Sequence, residues 1–244
     1  MKTAGVHVGT SGWTYDDWSG PFYPSEVKGT DRLRFYSERF DTVEVNASFY
    51  RTPSQPMIDA WNRRLGADFH LVVKGLRVVT HFKKLRDCEE PLQGFLERVL
   101  QLRSLRVILW QLPPSLHKDY SRLDDFLTGL PRQVRHAVEF RHESWWDGDI
   151  VELLTKHGAA FVALSHPELP QTVHVTGDFL YVRFHGRGEE LYRYDYSDEE
   201  LADWVGRLGP HLPGRELYGF FNNDYGANAP KNAAVFRELL SGNA

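Results

Sequence analysis

Residues 137–146 read AVEFRHESWW. The opening residues have the β-branched and aromatic character of a strand, yet Glu139 and Arg141 stand two apart, so a pleated backbone sends both to one face. That face looks either into water or into a working site, and His142 and two tryptophans follow at once. The same kind of run recurs in both directions along the chain. β-like segments fall at 6–12 (VHVGTSG), 42–50 (TVEVNASFY), 70–75 (HLVVKG), 106–113 (RVILWQLP), 135–142 (RHAVEFRH), 159–166 (AAFVALSH), 179–186 (FLYVRFHG) and 216–223 (ELYGFFNN). Between them, apolar residues recur with helical spacing at 33–40, 56–65, 91–102, 123–127, 150–157, 198–208 and 232–240. Ser197 with Glu200, ahead of Leu201, has the form of a capped helix start, and Pro230 suits the first turn of the last helix.

Strands that alternate with helices build parallel βαβ units, and about eight such units in a chain of this size predict a (β/α)8 TIM barrel. No linker, repeat or low-complexity segment divides the sequence, so residues 1–244 are expected to form one α/β domain. The segment 167–178 lacks helical spacing, which predicts a crossover without a regular helix. A doubly wound open sheet shares the alternation, but no G-x-G-x-x-G follows the first strand, which weakens its dinucleotide-binding form.

Composition narrows the partners. With 41% hydrophobic and 25% charged residues, the 244-residue chain can bury a substantial core in water. Its formal net charge of -4 leaves no overall footprint for nucleic acid or an anionic membrane, although a local basic pocket is compatible with it. A single cysteine, Cys88, excludes an internal disulfide and reads as a small residue at a helix start. The N-terminal stretch MKTAGVHVGTSGW has no apolar core, and no apolar run reaches membrane-spanning length. A cytoplasmic protein with no membrane partner is the expectation.

In an α/β barrel the strand interiors are apolar and sites form at the C-terminal ends of the strands. Here those ends are polar almost without exception. Ser11 and Trp13 follow the first strand, Glu44 and Asn46 share a face if the second continues, and Lys74 and Gln111 close the third and fourth. Glu139 and Arg141 close the fifth, with Trp145 just beyond, Arg183 and His185 the seventh, and Asn222 and Asn223 the eighth. Strand ends meet solvent, so any one of these taken alone needs no explanation. Charges embedded in apolar runs such as Val43 to Asn46 or Tyr181 to His185 do, because a buried charge needs a partner or a ligand. An ion-pair network that only holds the fold together is the alternative. Rings at Trp13, Tyr15, Trp18, Phe49, Tyr50, Trp145 and Trp146 can stack on a ligand or pack as a lid. After the last two strands, residues 185–188 (HGRG) and 222–228 (NNDYGAN), with Arg187 and Lys231, resemble a phosphate-binding pair of loops; a glycine turn with an asparagine cap at Asn228 explains them equally.

Taken together, GTSGWTYDDW, GPFYP, TVEVNASFYRTP, the lysine and Val-Thr-His81 stretch, WQLPP, AVEFRHESWW, YVRFHGR and FFNNDYGANAPKNA resemble the YecE-like proteins, a domain of unknown function. The similarity covers almost the whole chain in order; Ala47 and Trp110 are minor departures. It implies a TIM-barrel fold and supplies no reaction.

Four chemistries fit these residues. In the first, an anionic, phosphate-bearing substrate is held by Lys74, Arg141 and Arg183 while Glu44, Glu139 and His185 move protons; Ser11, Trp13, Asn46, Gln111, Trp145, Asn222, Asn223 and Asn228 complete the binding residues. A small anionic ligand is the expected partner, with single-stranded nucleic acid as its alternative. The second is a metal-dependent phosphodiesterase on Glu44, Glu139 and His185, disfavoured because three nearby cations would repel the ion, so no cofactor is expected. The third is glycoside hydrolysis by Glu44 and Glu139. The fourth is a ligand-binding barrel without catalysis.

Overall fold

The computed structural model describes residues 5–188 and 191–242. Residues 1–4, part of the N-terminal stretch assessed above, lie outside the described residues. Nine strands run β1 (Val6–Thr10), β2 (Thr42–Val45), β3 (His70–Lys74), β4 (Leu105–Gln111), β5 (Arg135–Glu139), β6 (Ala160–Phe161), β7 (Ala163–Ser165), β8 (Phe179–Phe184) and β9 (Glu216–Phe221) among the described residues. The helices are α1 (Asp31–Ser37), α2 (Ala47–Tyr50), α3 (Gln55–Arg64), α4 (Glu89–Val99), α5 (Tyr120–Thr128), α6 (Gly148–His157), α7 (Asp198–Leu208) and α8 (Asn228–Gly242).

Every helical segment read from spacing is helical, with α7 starting on the reciprocal bonds of a capping box between Ser197 and Glu200. Residues 167–178 hold no helix, as their missing period requires. The hydroxyl of Thr176 donates to the Ala159 carbonyl (2.6 Å) and accepts from Phe161 N–H (2.8 Å), so side-chain bonds tie down what a helix would have covered.

Two strand assignments change. The segment 42–50 stops being a strand at Val45, and Asn46 has helical dihedrals (φ -77°, ψ -24°) at the start of α2. Ser48 causes the turn: its hydroxyl lies 2.7 Å from the carbonyls of both Val45 and Lys74, a local bond that competes with strand continuation. Asn46 therefore does not share the face of Glu44 by strand alternation. The segment 159–166 breaks into β6 and β7 at Val162, whose N–H goes to the Val138 carbonyl (3.0 Å).

The break has a consequence for the sheets. The described residues pair as a four-stranded sheet in the order β1-β9-β8-β7 and a five-stranded sheet in the order β2-β3-β4-β5-β6, where one closed ring of strands was expected. The ladder β5–β6 ends at Val138 with Phe161, and β7 begins a new ladder with β8 at Ala163 with Val182. The strands β1, β9, β8 and β7 pair parallel, as do β3, β4, β5 and β6, which fits an α/β chain with helices between its strands. By contacts the chain divides into two compact units. The first holds the described residues up to Glu44, Ala163–Val173 and the residues from Asp178 onward; the second holds Val45–Val162 and His174–Gly177.

In the first unit α8 packs on β1 and α7, burying Ala229, Ala233, Phe236 and Leu240 at helical spacing. Phe184 of β8 stacks on Phe221 of β9 with ring centroids 4.2 Å apart, and the edges of Trp204 and Phe236 close over the pair. In the second unit fully buried Trp110 of β4 meets Phe95 and Phe126 edge to face and donates its indole N–H to His136 Nδ1 (3.1 Å). Burial lowers the His136 pKa, which matches a ring nitrogen that accepts.

Gly9 sets how closely β1 approaches its neighbour. A Cβ there would lie 2.3 Å from the Thr42 carbonyl oxygen and 2.8 Å from the Tyr36 hydroxyl. Gly9→Ala is expected to lower stability by about 1–3 kcal/mol, the usual cost of overpacking a rigid backbone contact. Urea unfolding midpoints of the two proteins measure it, and equal midpoints would show that the contact yields freely.

Candidate functional site

Ionisable groups gather at two places, one in each unit. In the first unit Tyr181 and Arg183 stand two apart on β8 and so share a face, and both reach Glu44. Glu44 Oε1 accepts from Arg183 Nη2 (2.6 Å) and from the Ser11 hydroxyl (2.8 Å), while Oε2 accepts from the Tyr181 hydroxyl (2.6 Å). The pair is closed to water, with side-chain exposures of 1% for Arg183 and 0% for Glu44. Such a pair repays its desolvation only when good geometry and extra hydrogen bonds satisfy both ions, and here three donors converge on one carboxylate. Glu44, expected to move protons, is instead the anchor of Arg183.

His185 extends the row. Its Nε2 is 3.4 Å from Arg183 Nη1 and its Nδ1 3.2 Å from the Asn222 side-chain amide. The guanidinium and the amide NH2 both donate, so the imidazole lies between two N–H groups. Tyr15 donates its hydroxyl to the Ser11 carbonyl (2.5 Å), and burial pushes its pKa far above the ordinary phenol value, helped by Asp224 and Glu44 and opposed by Arg183. Burial likewise pushes Asp224 up to about 6; its own backbone hydrogen bond opposes that shift and Asp17 adds to it.

Among the described residues, the polar groups of the loops after β8 and β9, where a phosphate cradle was expected, are bonded to one another. Gly186, with φ +111°, gives its N–H to the Tyr196 hydroxyl (2.8 Å). Fully buried Asn223 donates to the Tyr194 carbonyl and to Asn232 Oδ1, both at 2.7 Å, and Asn228 donates to the Arg193 carbonyl (3.1 Å). Arg187 pairs with Glu200 (3.3 Å) and Lys231 with Asp195 (2.7 Å). These groups fasten the segment 192–196 to α8, which is the glycine turn with asparagine anchors. Trp13 offers its carbonyl to the Tyr23 hydroxyl (2.7 Å) and keeps its ring half-buried.

In the second unit, Lys74 pairs in register with Leu109, Leu109 with Ala137, and Gln111 with Glu139. Residues in register on parallel strands leave the sheet on one side, so Lys74, Gln111 and Glu139 share a face at the C-terminal ends of β3, β4 and β5. Arg141, two residues on, donates its Nε–H to Oε1 of fully buried Glu139. The Lys74 ammonium sits 4.5 Å above the Phe49 ring, and that ring meets His81 edge to face at 4.9 Å. Trp145 does not join them. It is fully buried, stacked on Phe140 at 4.7 Å, and its indole N–H is spent on the Leu116 carbonyl (2.7 Å), so it is core and not a ligand platform.

His81 was not among the residues assigned from sequence. It lies on a turn of π-helix, Val78–Phe82, and such turns are rare and gather at functional sites. Its pKa falls from the ordinary 6.5 to about 4, first through burial and then through the Lys74 and Arg141 charges, with Glu139 opposing and Arg77 adding. The Thr80 hydroxyl lies 3.2 Å from the Leu76 carbonyl oxygen and 2.9 Å from His81 Nδ1, so it ties the ring to the start of the π-helical turn. The cluster thus sets three cations and one carboxylate around a neutral imidazole.

A family model described as "Protein of unknown function DUF72" matches residues 7–244. The chain is 24% identical to the UPF0759 protein YunF of Bacillus subtilis over 96% of its length and 94% of that protein. It is 26% identical to the UPF0759 protein YecE of Escherichia coli K12, over 58% of its length and 50% of that protein. The crystal structure of a DUF72 family protein from Thermotoga maritima superposes with a TM-score of 0.86 at 33% identity, covering 98% of this chain and 100% of that one.

Two outcomes follow from the geometry. Glu44→Gln strands the buried guanidinium of Arg183 and is expected to cost about 3–5 kcal/mol of stability, most of which a Glu44→Gln, Arg183→Met double variant restores. Denaturant titration reads both, and a single variant as stable as the parent would remove the anchor role. His81 has a folded pKa below its unfolded one, so the unfolded chain protonates first: its contribution to stability is complete above about pH 6.5 and declines as pH falls towards 4. Imidazole proton shifts in an NMR titration locate the midpoint directly, and a midpoint near 6.5 would mean that neither burial nor the cations act on the ring.

Proposed function

The chain belongs to the DUF72 family, and we propose that it binds a small anionic molecule, a phosphate or carboxylate, at the Lys74, His81, Glu139 and Arg141 cluster of the second unit. The observation that carries this reading is the charge balance around His81. After burial, Lys74 and Arg141 act most strongly on the ring, Glu139 opposes them and Arg77 adds to them. At about 4 Å and an effective dielectric near 20, each unit charge on the ligand gains about 4 kcal/mol from each cation before desolvation, so a surplus of this size decides the sign of the ligand. Arginine and lysine also divide the work: the planar fork of Arg141 orients a carboxylate or phosphate, while Lys74 supplies a point charge.

Proton transfer within this reading belongs to His81, whose imidazole is neutral at pH 7 and becomes a stronger base once an anion offsets the cations, with Glu139 and Arg141 orienting the anion. A binder without turnover is the second reading, and the same cations serve it. A metal or glycosidase site that uses Glu44 is less favoured, because both oxygens of Glu44 are taken by Ser11, Tyr181 and Arg183. The closed (β/α)8 barrel is likewise our proposal. Parallel pairing, helices between the strands, and the count of eight strands when β6 and β7 are taken as one interrupted strand speak for it.

Inorganic phosphate is the simplest probe. It is expected to shift the resonances around Lys74, His81 and Arg141 and to raise the His81 pKa by neutralising the cations. Lys74→Met and Arg141→Met each weaken phosphate binding about tenfold or more, whereas Glu139→Gln strengthens it by removing the opposing charge. A protein whose His81 titration ignores millimolar phosphate would end the proposal.

A further inference from the structure

Beside the cationic cluster, in the same unit, lies a group of rings that the anion does not explain. Tyr50, at the end of α2, is 67% exposed and Phe82, at the end of the π-helical turn, is 66% exposed; a large aromatic side chain in water gives up the burial it would gain elsewhere. The Arg77 guanidinium lies over both rings, 5.7 Å from the Tyr50 centroid and 5.1 Å from that of Phe82. Phe49 joins this group to the anion cluster, meeting Tyr50 edge to face at 5.2 Å and carrying the Lys74 ammonium on its face. Anion-binding cations and exposed flat rings are therefore continuous, linked through one aromatic side chain.

We propose, resting on the anion-binding reading of this cluster, that the ligand is a nucleotide, either free or as a unit of a single strand, with its phosphate at Lys74 and Arg141 and its base stacked against Tyr50, Phe82 and the Arg77 plane. Base-on-ring stacking contributes per base about as much as one good phosphate contact and tolerates any base, because each has a π face. Arg77 stacked between two rings adds a planar cation against which a base packs without needing a matched hydrogen-bonding edge. The other exposed large rings among the described residues, Tyr120, Tyr192 and Tyr225, are not part of this cluster.

Binding of adenosine 5′-monophosphate, adenosine and inorganic phosphate by calorimetry tests this. The monophosphate is expected to bind at least tenfold more tightly than phosphate, and Tyr50→Ala with Phe82→Ala should return it to the affinity of phosphate while leaving phosphate itself unchanged. Both side chains are two-thirds exposed, so the variant should melt with the parent. Equal affinities for monophosphate and phosphate in the parent protein, or a monophosphate affinity that survives loss of both rings, overturn the nucleotide and leave the anion site standing. Absence of binding by phosphate and monophosphate alike overturns both. A pentathymidylate that binds more tightly than thymidine 5′-monophosphate assigns the ligand to a strand, and equal affinities assign it to a free nucleotide; either supports the proposal.

Discussion

A carboxylate and a guanidinium with almost no exposure, Glu44 and Arg183, define the interior of the first unit. Removing two ions from water costs several kcal/mol each, and the cost is recovered only where each finds its partners at short range. Ser11 and Tyr181 supply them, so the ends of β1, β2 and β8 are committed to one geometry. His185 and Asn222 follow in line. The pair is thus a constraint on structure first, and it decides which neighbouring groups are left to meet a ligand.

The second unit solves the same problem differently. Glu139 is fully buried and tied to Arg141, and burial first, then the Lys74 and Arg141 charges with Arg77 adding, lower the pKa of the neighbouring His81. Glu44 is paired with Arg183, whereas Glu139 pairs with Arg141 on the face it shares with Lys74. The distinction rests on counting charges around each carboxylate, because composition alone makes Glu44 and Glu139 look alike.

YunF matches over 96% of this chain and YecE over 58% of it. A solved Thermotoga maritima structure at 33% identity follows the chain almost end to end, so the α/β framework is shared. The description of that family carries no reaction, and the chemistry of this chain has to be argued from its own side chains.

Periodicity in the sequence determined the strands, the helices and the bare crossover at 167–178, because those depend on neighbours within a few residues: apolar spacing, the capping pair Ser197 and Glu200, and the absence of a helical stripe. It also marked the strand ends as the polar positions. It did not reveal the turn at Ser48, whose hydroxyl answers a carbonyl 26 residues away, nor the surroundings of His81, whose pKa is lowered by burial and by Lys74 and Arg141. Nor could it separate Trp145, spent in the core, from Tyr50, left in water. Arg183 reaches Glu44 across 139 residues, and partners that far apart are chosen by the packed strands alone. Local spacing sets which way a side chain points from its own backbone; only tertiary structure decides what it finds there, because charge, burial and hydrogen bonding are properties of the groups brought alongside.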